Sequence, residues 1–280
     1  MLVLFLQCLF ASTVSAQDQE NGPFTPNFVK FLASNPKKNQ GVLEAFKKYG
    51  TSGTFGGKQE GDEEIDRQPV IFVHGNSDSA LFYSDLATGW TRNVEYFKSK
   101  GYNTGELYGM TYGDRNRTNA AHNRVSCRNI IGLRRLIEAV LAYTQKVDII
   151  AHSMGVTLAR KAIQGGQAVL TEELCDIGES ISNKIDTLVG ISGANRGMCM
   201  CLLPMMKDAA ACSAVDGFFP GTCKSPTASY EQCGKENASC EKTKTDTITD
   251  QFALVTRHSR NADTANTRAR RANTEKHHKH

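Results

Sequence analysis

Residues 147–163 read VDIIAHSMGVTLARKAI, and this stretch constrains the fold more than any other part of the chain. Val147-Asp148-Ile149-Ile150-Ala151 is rich in β-branched residues and has the length of a buried strand. From Met154 onward, Val156, Leu158, Ala159 and Ile163 fall at helical spacing, so strand must turn into helix around Ser153. A reversal that tight needs small neighbours, and Ala151 and Gly155 supply them. The pattern is a G-x-S-x-G nucleophile elbow with alanine in place of the first glycine. Such a turn lifts a serine hydroxyl above a sheet and aims the start of a helix at it.

A chain of 280 residues can bury one sizeable core, and its length gives no reason to expect several domains. Met1–Ala16 is an apolar stretch ending in small residues, too short to span a membrane, and reads as a secretory signal cleaved after Val14-Ser15-Ala16. No other segment approaches membrane length. Nine cysteines are present; losing Cys8 with the signal leaves an even set, Cys127, Cys175, Cys199, Cys201, Cys212, Cys223, Cys233 and Cys240. That count in an exported chain points to disulfides, most of them in 199–240. The Cys199-x-Cys201 spacing fits no common zinc pattern and no histidine lies within the cluster, so no metal is expected. Two N-x-S/T triplets, Asn116-Arg117-Thr118 and Asn237-Ala238-Ser239, suit the same compartment.

The formal charge of +4 does not describe a nucleic-acid-binding surface. Between Arg257 and His280 seven Lys or Arg residues face only Asp263 and Glu275, a surplus that exceeds the charge of the whole chain. The basicity belongs to a polar segment, 257–280, that can bury almost nothing and is expected to be a disordered tail. No basic face interleaved with aromatics occurs in the body, so no nucleic-acid partner is expected.

Along the chain, FTPNFVKFLASN and VLEAFKKYG read as short amphipathic helices before a glycine-rich turn, GTSGTFGGK. Pro69 opens PVIFVHGN, a continuous apolar run of the kind found in strands covered on both faces. A helix over Ala87–Lys100, a strand in ELYGMTY, a long helix over Cys127–Thr144, the elbow strand with its helix, and a strand in KIDTLVGISG (184–193) follow. This alternation implies a mostly parallel sheet flanked by helices.

The end of the first apolar run matters as much as the elbow. His74-Gly75-Asn76 falls at the carboxyl end of a strand, where open α/β sheets build their sites. A serine that attacks an acyl carbon needs two donors where the carbonyl oxygen becomes negative. In this architecture they are backbone N–H groups, one just after the nucleophile and one from the loop after an early strand. Those positions are Met154 and Asn76.

PVIFVHGNSD, GELYGMTY (105–112), AHSMG and VGISGANRG (189–197) together resemble the class 2 lipases, secreted α/β-hydrolases of the triacylglycerol-lipase kind. The leader, the cysteines and DLATGW (85–90) resemble the nematode branch in particular. The likeness runs from Phe24 to Gly197 and again over Thr245–Ser259. It implies an α/β-hydrolase-like fold over a single domain, 17–256, a lipid-ester substrate, Ser153 as nucleophile, Asn76 and Met154 as oxyanion donors, and no cofactor. His152 falls where the family has a packed neighbour rather than the base.

The resemblance then breaks. The family continues with a strand ending in the catalytic aspartate and another that brings the histidine, in the order Ser, Asp, His. Between Ala194 and Asp246 this chain offers only Leu202, Leu203 and Val215 among Val, Ile and Leu, so no β-branched strand can be drawn there. The C-terminal strands with both triad partners are expected to be missing. Asp208 and Asp216 stand in the right chain order without a strand behind them, and His258 is left as the candidate base. Three functions fit: a lipase or other carboxylic ester hydrolase, low in activity; a thioesterase or amidase on the same scaffold; or a non-catalytic lipid- or partner-binding protein.

Overall fold

The computed structural model of the chain describes residues 21–220, apart from Arg196 and Lys207. The signal over 1–16, the tail over 257–280, Cys223, Cys233, Cys240, the Asn237 triplet and His258 lie outside the described residues.

Helices α1 (Pro26–Ala33) and α2 (Gln40–Tyr49) lead into β1 (Thr54–Phe55) and β2 (Val70–Val73). Helix α3 (Thr91–Ser99) precedes β3 (Leu107–Met110), and α4 (Cys127–Val140) precedes β4 (Val147–His152). Then come α5 (Met154–Gln164), a hairpin of β5 (Gln167–Val169) and β6 (Leu174–Asp176), and β7 (Ile185–Ile191). No helix among the described residues is long and apolar enough to cross a membrane.

The main sheet runs β1-β3-β2-β4-β7, parallel throughout except for β1, which pairs antiparallel with β3. The alternation of side chains along β2 divides its apolar residues between two cores. Ile71 and Val73 join Tyr108, Met110, Val147, Ile149 and Ala151 under α1, α2, α4 and α5. Val70 and Phe72 face the other way, with Phe55, Leu81, Trp90, Val94 and Leu107, under α3 and the loop before it.

Cover on that second face thins across the sheet. All four residues of β2 are buried, alternate residues of β4 are half-exposed, and Val189 and Ile191 of β7 are 43% and 42% exposed. Among the described residues β7 pairs only with β4, and no strand beyond an isolated bridge follows it. A register shift near Asp148 is held by its own side chain, whose Oδ1 accepts from the Thr187 N–H (3.0 Å) and from Gln68 Nε2 (2.7 Å).

Several boundaries differ from the sequence expectation. The helix expected over Ala87–Lys100 starts at Thr91, because the Thr88–Trp90 segment is drawn back: the Gly89 N–H donates to Asp78 Oδ1 and the Trp90 N–H to Ala80 O. The helix expected to reach Thr144 ends at Val140. The glycine-rich turn contains β1, and β5–β6 is an unforeseen hairpin. Its buried residues are Ala168 and Cys175, and a disulfide from Cys175 to Cys127 ties it to the start of α4. A second disulfide joins Cys201 to Cys212, and Cys199 is also disulfide-bonded. The bridges therefore are not confined to 199–240.

Candidate active site

Strand order decides where a site can form. From β2 the chain crosses to β3 on one side, and from β3 it returns to β4 on the other. Right-handed crossovers place α3 and α4 on opposite faces of the sheet and leave a crevice between the carboxyl ends of β2 and β4. Gly75 and Asn76 follow β2, and Ser153 follows β4. They line one cleft of about 320 Å³ with Asp78, Arg117, Ala120 and His152.

Ser153 has φ 51° and ψ −124°, backbone angles that L side chains rarely adopt. Its neighbours enforce this conformation. A Cβ on Gly155 would lie 2.3 Å from His74 O and 2.7 Å from Val73 O, so α5 can start this close to β2 only with glycine there. A Cβ on Gly75 would lie 2.9 Å from His152 Nδ1 and 3.2 Å from Ser153 Cβ. The Ser153 N–H donates to Ile191 O at 2.9 Å, which fixes the elbow against the end of β7.

The Ser153 hydroxyl has no hydrogen-bond partner among the described residues, and neither the Asn76 nor the Met154 N–H donates to an acceptor there. A half-buried hydroxyl lining a cleft at the top of the sheet, with unengaged N–H groups on the following residue and on the β2 loop, is what an acyl-transfer site requires. His152 and Ser153 share the cleft, although neighbouring side chains on a sharp turn are expected to diverge. No hydrogen bond joins them.

His74 has a role that sequence reasoning missed. It is 1% exposed; its Nδ1–H donates to Gly75 O (2.7 Å), and its Nε2 accepts the Tyr112 N–H (3.0 Å). The Tyr112 hydroxyl returns a hydrogen bond to His74 O (2.7 Å), and the two rings stack at 4.1 Å. Burial pushes the His74 pKa down to about 4, against the hydrogen bond to Gly75 O, which raises it. The ring is neutral at physiological pH and clamps the Gly75–Asn76 loop to the end of β3. Burial likewise raises the Tyr112 phenol, keeping its proton available to His74 O. A histidine before glycine at the end of a fully buried strand was the available signal.

The Asn76 side chain is held as firmly. Its Nδ2 donates to Ala120 O (2.9 Å), while its Oδ1 accepts from Asn123 Nδ2 (2.9 Å) and Ser77 Oγ (3.1 Å). Asn123 also donates to Asp114 Oδ1 at 3.3 Å. Burial works against the Asp114 carboxylate, but hydrogen bonds from the Asn116 N–H and the Asn119 and Asn123 amides outweigh it and hold its pKa below the usual range.

The two aspartates in triad order are placed elsewhere. Asp216 is 2% exposed; its Oδ2 accepts the Thr171 N–H (3.0 Å) and lies 3.7 Å from Arg124 Nε. It anchors the 211–219 segment beside the hairpin. Asp208 is exposed. Neither lines the Ser153 cleft.

A family model described as Lipase (class 2) matches residues 67–278. The crystal structure of Aspergillus fumigatus lipase B is similar at 17% identity and a TM-score of 0.35, over 52% of this chain and 29% of that one. The match therefore spans less than a third of that enzyme's length. No curated protein sequence matches.

Proposed function

Because this chain belongs to the class 2 lipase family and has its α/β-hydrolase-like fold, we propose that it is an exported carboxylic ester hydrolase of lipid esters, acting through an acyl-enzyme on Ser153. One observation supports this reading above the others: Ser153 is held at φ 51° and ψ −124° on the turn between β4 and α5, its hydroxyl unengaged beside the β2 loop. In the reaction the Ser153 hydroxyl attacks the acyl carbon as a base takes its proton. The carbonyl oxygen becomes an oxyanion that the Asn76 and Met154 N–H groups stabilise. The alcohol leaves with that proton, and water then releases the fatty acid. Helix α5 points its positive end at the oxyanion. His258 is the candidate base by chain order.

Export is supported by the apolar leader and by the disulfides Cys127–Cys175 and Cys201–Cys212. Fold does not fix the acyl substrate, so thioesters and amides belong in the same assay.

A second reading, a lipid-binding protein without turnover, is favoured by one observation. No histidine or carboxylate is hydrogen-bonded to Ser153 among the described residues. A serine hydroxyl without a base is a weak nucleophile, so turnover by the 280-residue chain is expected to be low. The readings separate in an assay of that chain on short- and long-chain acyl esters, with fluorophosphonate labelling, and with Ser153→Ala and His258→Ala alongside. Hydrolysis that falls to background in Ser153→Ala supports the enzyme, since loss of a catalytic serine costs on the order of a million-fold in kcat. Hydrolysis that survives Ser153→Ala removes the nucleophile assignment. A wild-type chain that binds lipid but neither turns over nor takes the label is a binding protein.

A further inference from the structure

The loop between Gly113 and Asn123 forms the wall of the Ser153 cleft through Arg117 and Ala120, and it carries four exposed residues in a row, Asn116 to Asn119. Asn116-Arg117-Thr118 opens the short 3₁₀ turn Arg117–Asn119. We propose that Asn116 carries an N-linked glycan, so that the cleft has a sugar chain standing on one wall. The proposal rests on the export reading above.

The side-chain amides around the cleft differ in what they can offer. Asn76 Nδ2 is spent on Ala120 O, Asn119 Nδ2 on Asp114 Oδ2 (2.9 Å), and Asn123 Nδ2 on Asn76, Ser77 and Asp114. Asn116 is arranged the other way round. Its Oδ1 accepts from the Thr118 N–H (3.0 Å) and from Thr118 Oγ1 (2.7 Å), while its Nδ2 has no acceptor among the described residues. The amide oxygen is turned inward onto the hydroxyl of its own triplet, and the nitrogen that would bear a sugar is the free end. Of these four asparagines, Asn116 alone heads an N-x-S/T triplet.

The turn is fixed from below. The Asp114 carboxylate accepts from the Asn116 N–H at 3.0 Å as well as from Asn119 and Asn123. A bulky, hydrated group at an exposed position on an anchored turn can be added without displacing packed atoms. The reaction needs a lipid-linked oligosaccharide diphosphate, supplied in the secretory compartment. Asn116 Nδ2 attacks the anomeric carbon, a C–N bond forms as the C–O bond to the diphosphate breaks, the lipid diphosphate leaves, and the nitrogen gives up one proton.

The test is made on the full chain in a eukaryotic secretory host, with its own leader and, in parallel, with a foreign secretory leader replacing residues 1–16. Lumenal and secreted protein is pooled, treated with peptide N-glycosidase in heavy-oxygen water and mapped by peptide mass spectrometry. The expected result is conversion of Asn116 to heavy-oxygen aspartate, abolished in Asn116→Gln and Thr118→Ala and retained in Thr118→Ser. Asn237→Gln removes the other triplet from the map. Recovery of unmodified Asn116 from the foreign-leader chain in the lumen overturns the proposal. A native-leader chain that stays in the cytosol overturns the export reading instead, and the foreign-leader arm still decides the glycan.

Discussion

Lowering pH should release the loop that holds Asn76, through one buried histidine. In the folded chain His74 is neutral because burial disfavours its charge, and its pKa is about 4 against an ordinary 6.5. Between these values the unfolded chain binds a proton that the folded chain does not, so stability falls as pH falls. The contribution is fully present above pH 6.5 and fully lost below pH 4. A drop of that size corresponds to about 3 kcal/mol at about 1.4 kcal/mol per pH unit, with about 2 kcal/mol of it lost between roughly pH 7.5 and 5. Among groups that titrate in the acid range, Glu138 is the other with a large shift. Burial opposes its charge, but Arg134, Arg135 and Lys38 hold it at about 2, so its effect begins only near its unfolded value of 4.5. Protonated His74 would also set an Nε2–H against the Tyr112 N–H, opening the clamp on Gly75–Asn76. Urea denaturation at closely spaced pH values should show the loss, and His74→Gln should flatten it between pH 7 and 5. The His74 ring resonance, assigned by its absence in that variant, should not move above pH 5. A His74 resonance titrating near 6.5 would refute the reasoning even if the variant folds poorly.

Two substitutions test the elbow itself. Gly155→Ala would raise helix propensity at an exposed site, but here its Cβ meets His74 O at 2.3 Å, so a loss of about 3 kcal/mol in denaturant is expected, and any gain would mean the approach of α5 to β2 is wrong. At Ser153, glycine relieves the positive φ that alanine keeps, so Ser153→Gly should be more stable than Ser153→Ala by about 1 kcal/mol, reversing their usual order, and the usual order in thermal or chemical melts would show that the turn is unstrained.

The parts of the fold legible in the sequence are those where burial and period coincide. Val70–Val73 is buried on both faces and reads as an unbroken apolar run, and Ile130, Leu133, Leu136, Ile137 and Val140 mark α4 because they recur at helical spacing and are all buried. The hairpin of β5 and β6 was not legible. Each strand buries a single residue, Ala168 or Cys175, and a disulfide ties the hairpin to a residue 48 positions earlier, which no local pattern reveals. Strand β1 has two residues and owes its existence to Phe55 lying over Gly109 of β3. At the site, Ser153 was marked by its local turn. The network that fixes Asn76 was not, because Ala120 and Asn123 belong to an aperiodic loop 44 and 47 residues away.

The direct contacts of the elbow and of the Gly75–Asn76 loop come from residues before the point where the triad pattern breaks; the described residues after it act at one remove, the Ala211 N–H donating to Ala121 O and the Val125 N–H to Asp216 O. Ser153 is positioned by Gly155 against β2 and by Ile191 of β7; Asn76 is positioned by His74, Tyr112, Ala120 and Asn123. Strain at a residue like Ser153 costs on the order of 1–3 kcal/mol and persists only where surrounding contacts impose it. For lipid binding that strain has no use, because an exposed apolar cleft would serve as well with a relaxed turn. For acyl transfer it lifts the hydroxyl clear of the sheet and brings the Met154 N–H to the same side. The free hydroxyl and the free N–H groups thus support the proposed acyl transfer at Ser153, which is expected to be slow without a hydrogen-bonded base among the described residues. Asp216 cannot supply the carboxylate from its present place, since leaving would strand the Thr171 N–H and unpin the 211–219 segment, while Arg124 would keep its pairing with Glu172. Whether the site turns over therefore depends on a histidine reaching the open side of the cleft, and His258 is the first that chain order offers, ahead of His277, His278 and His280.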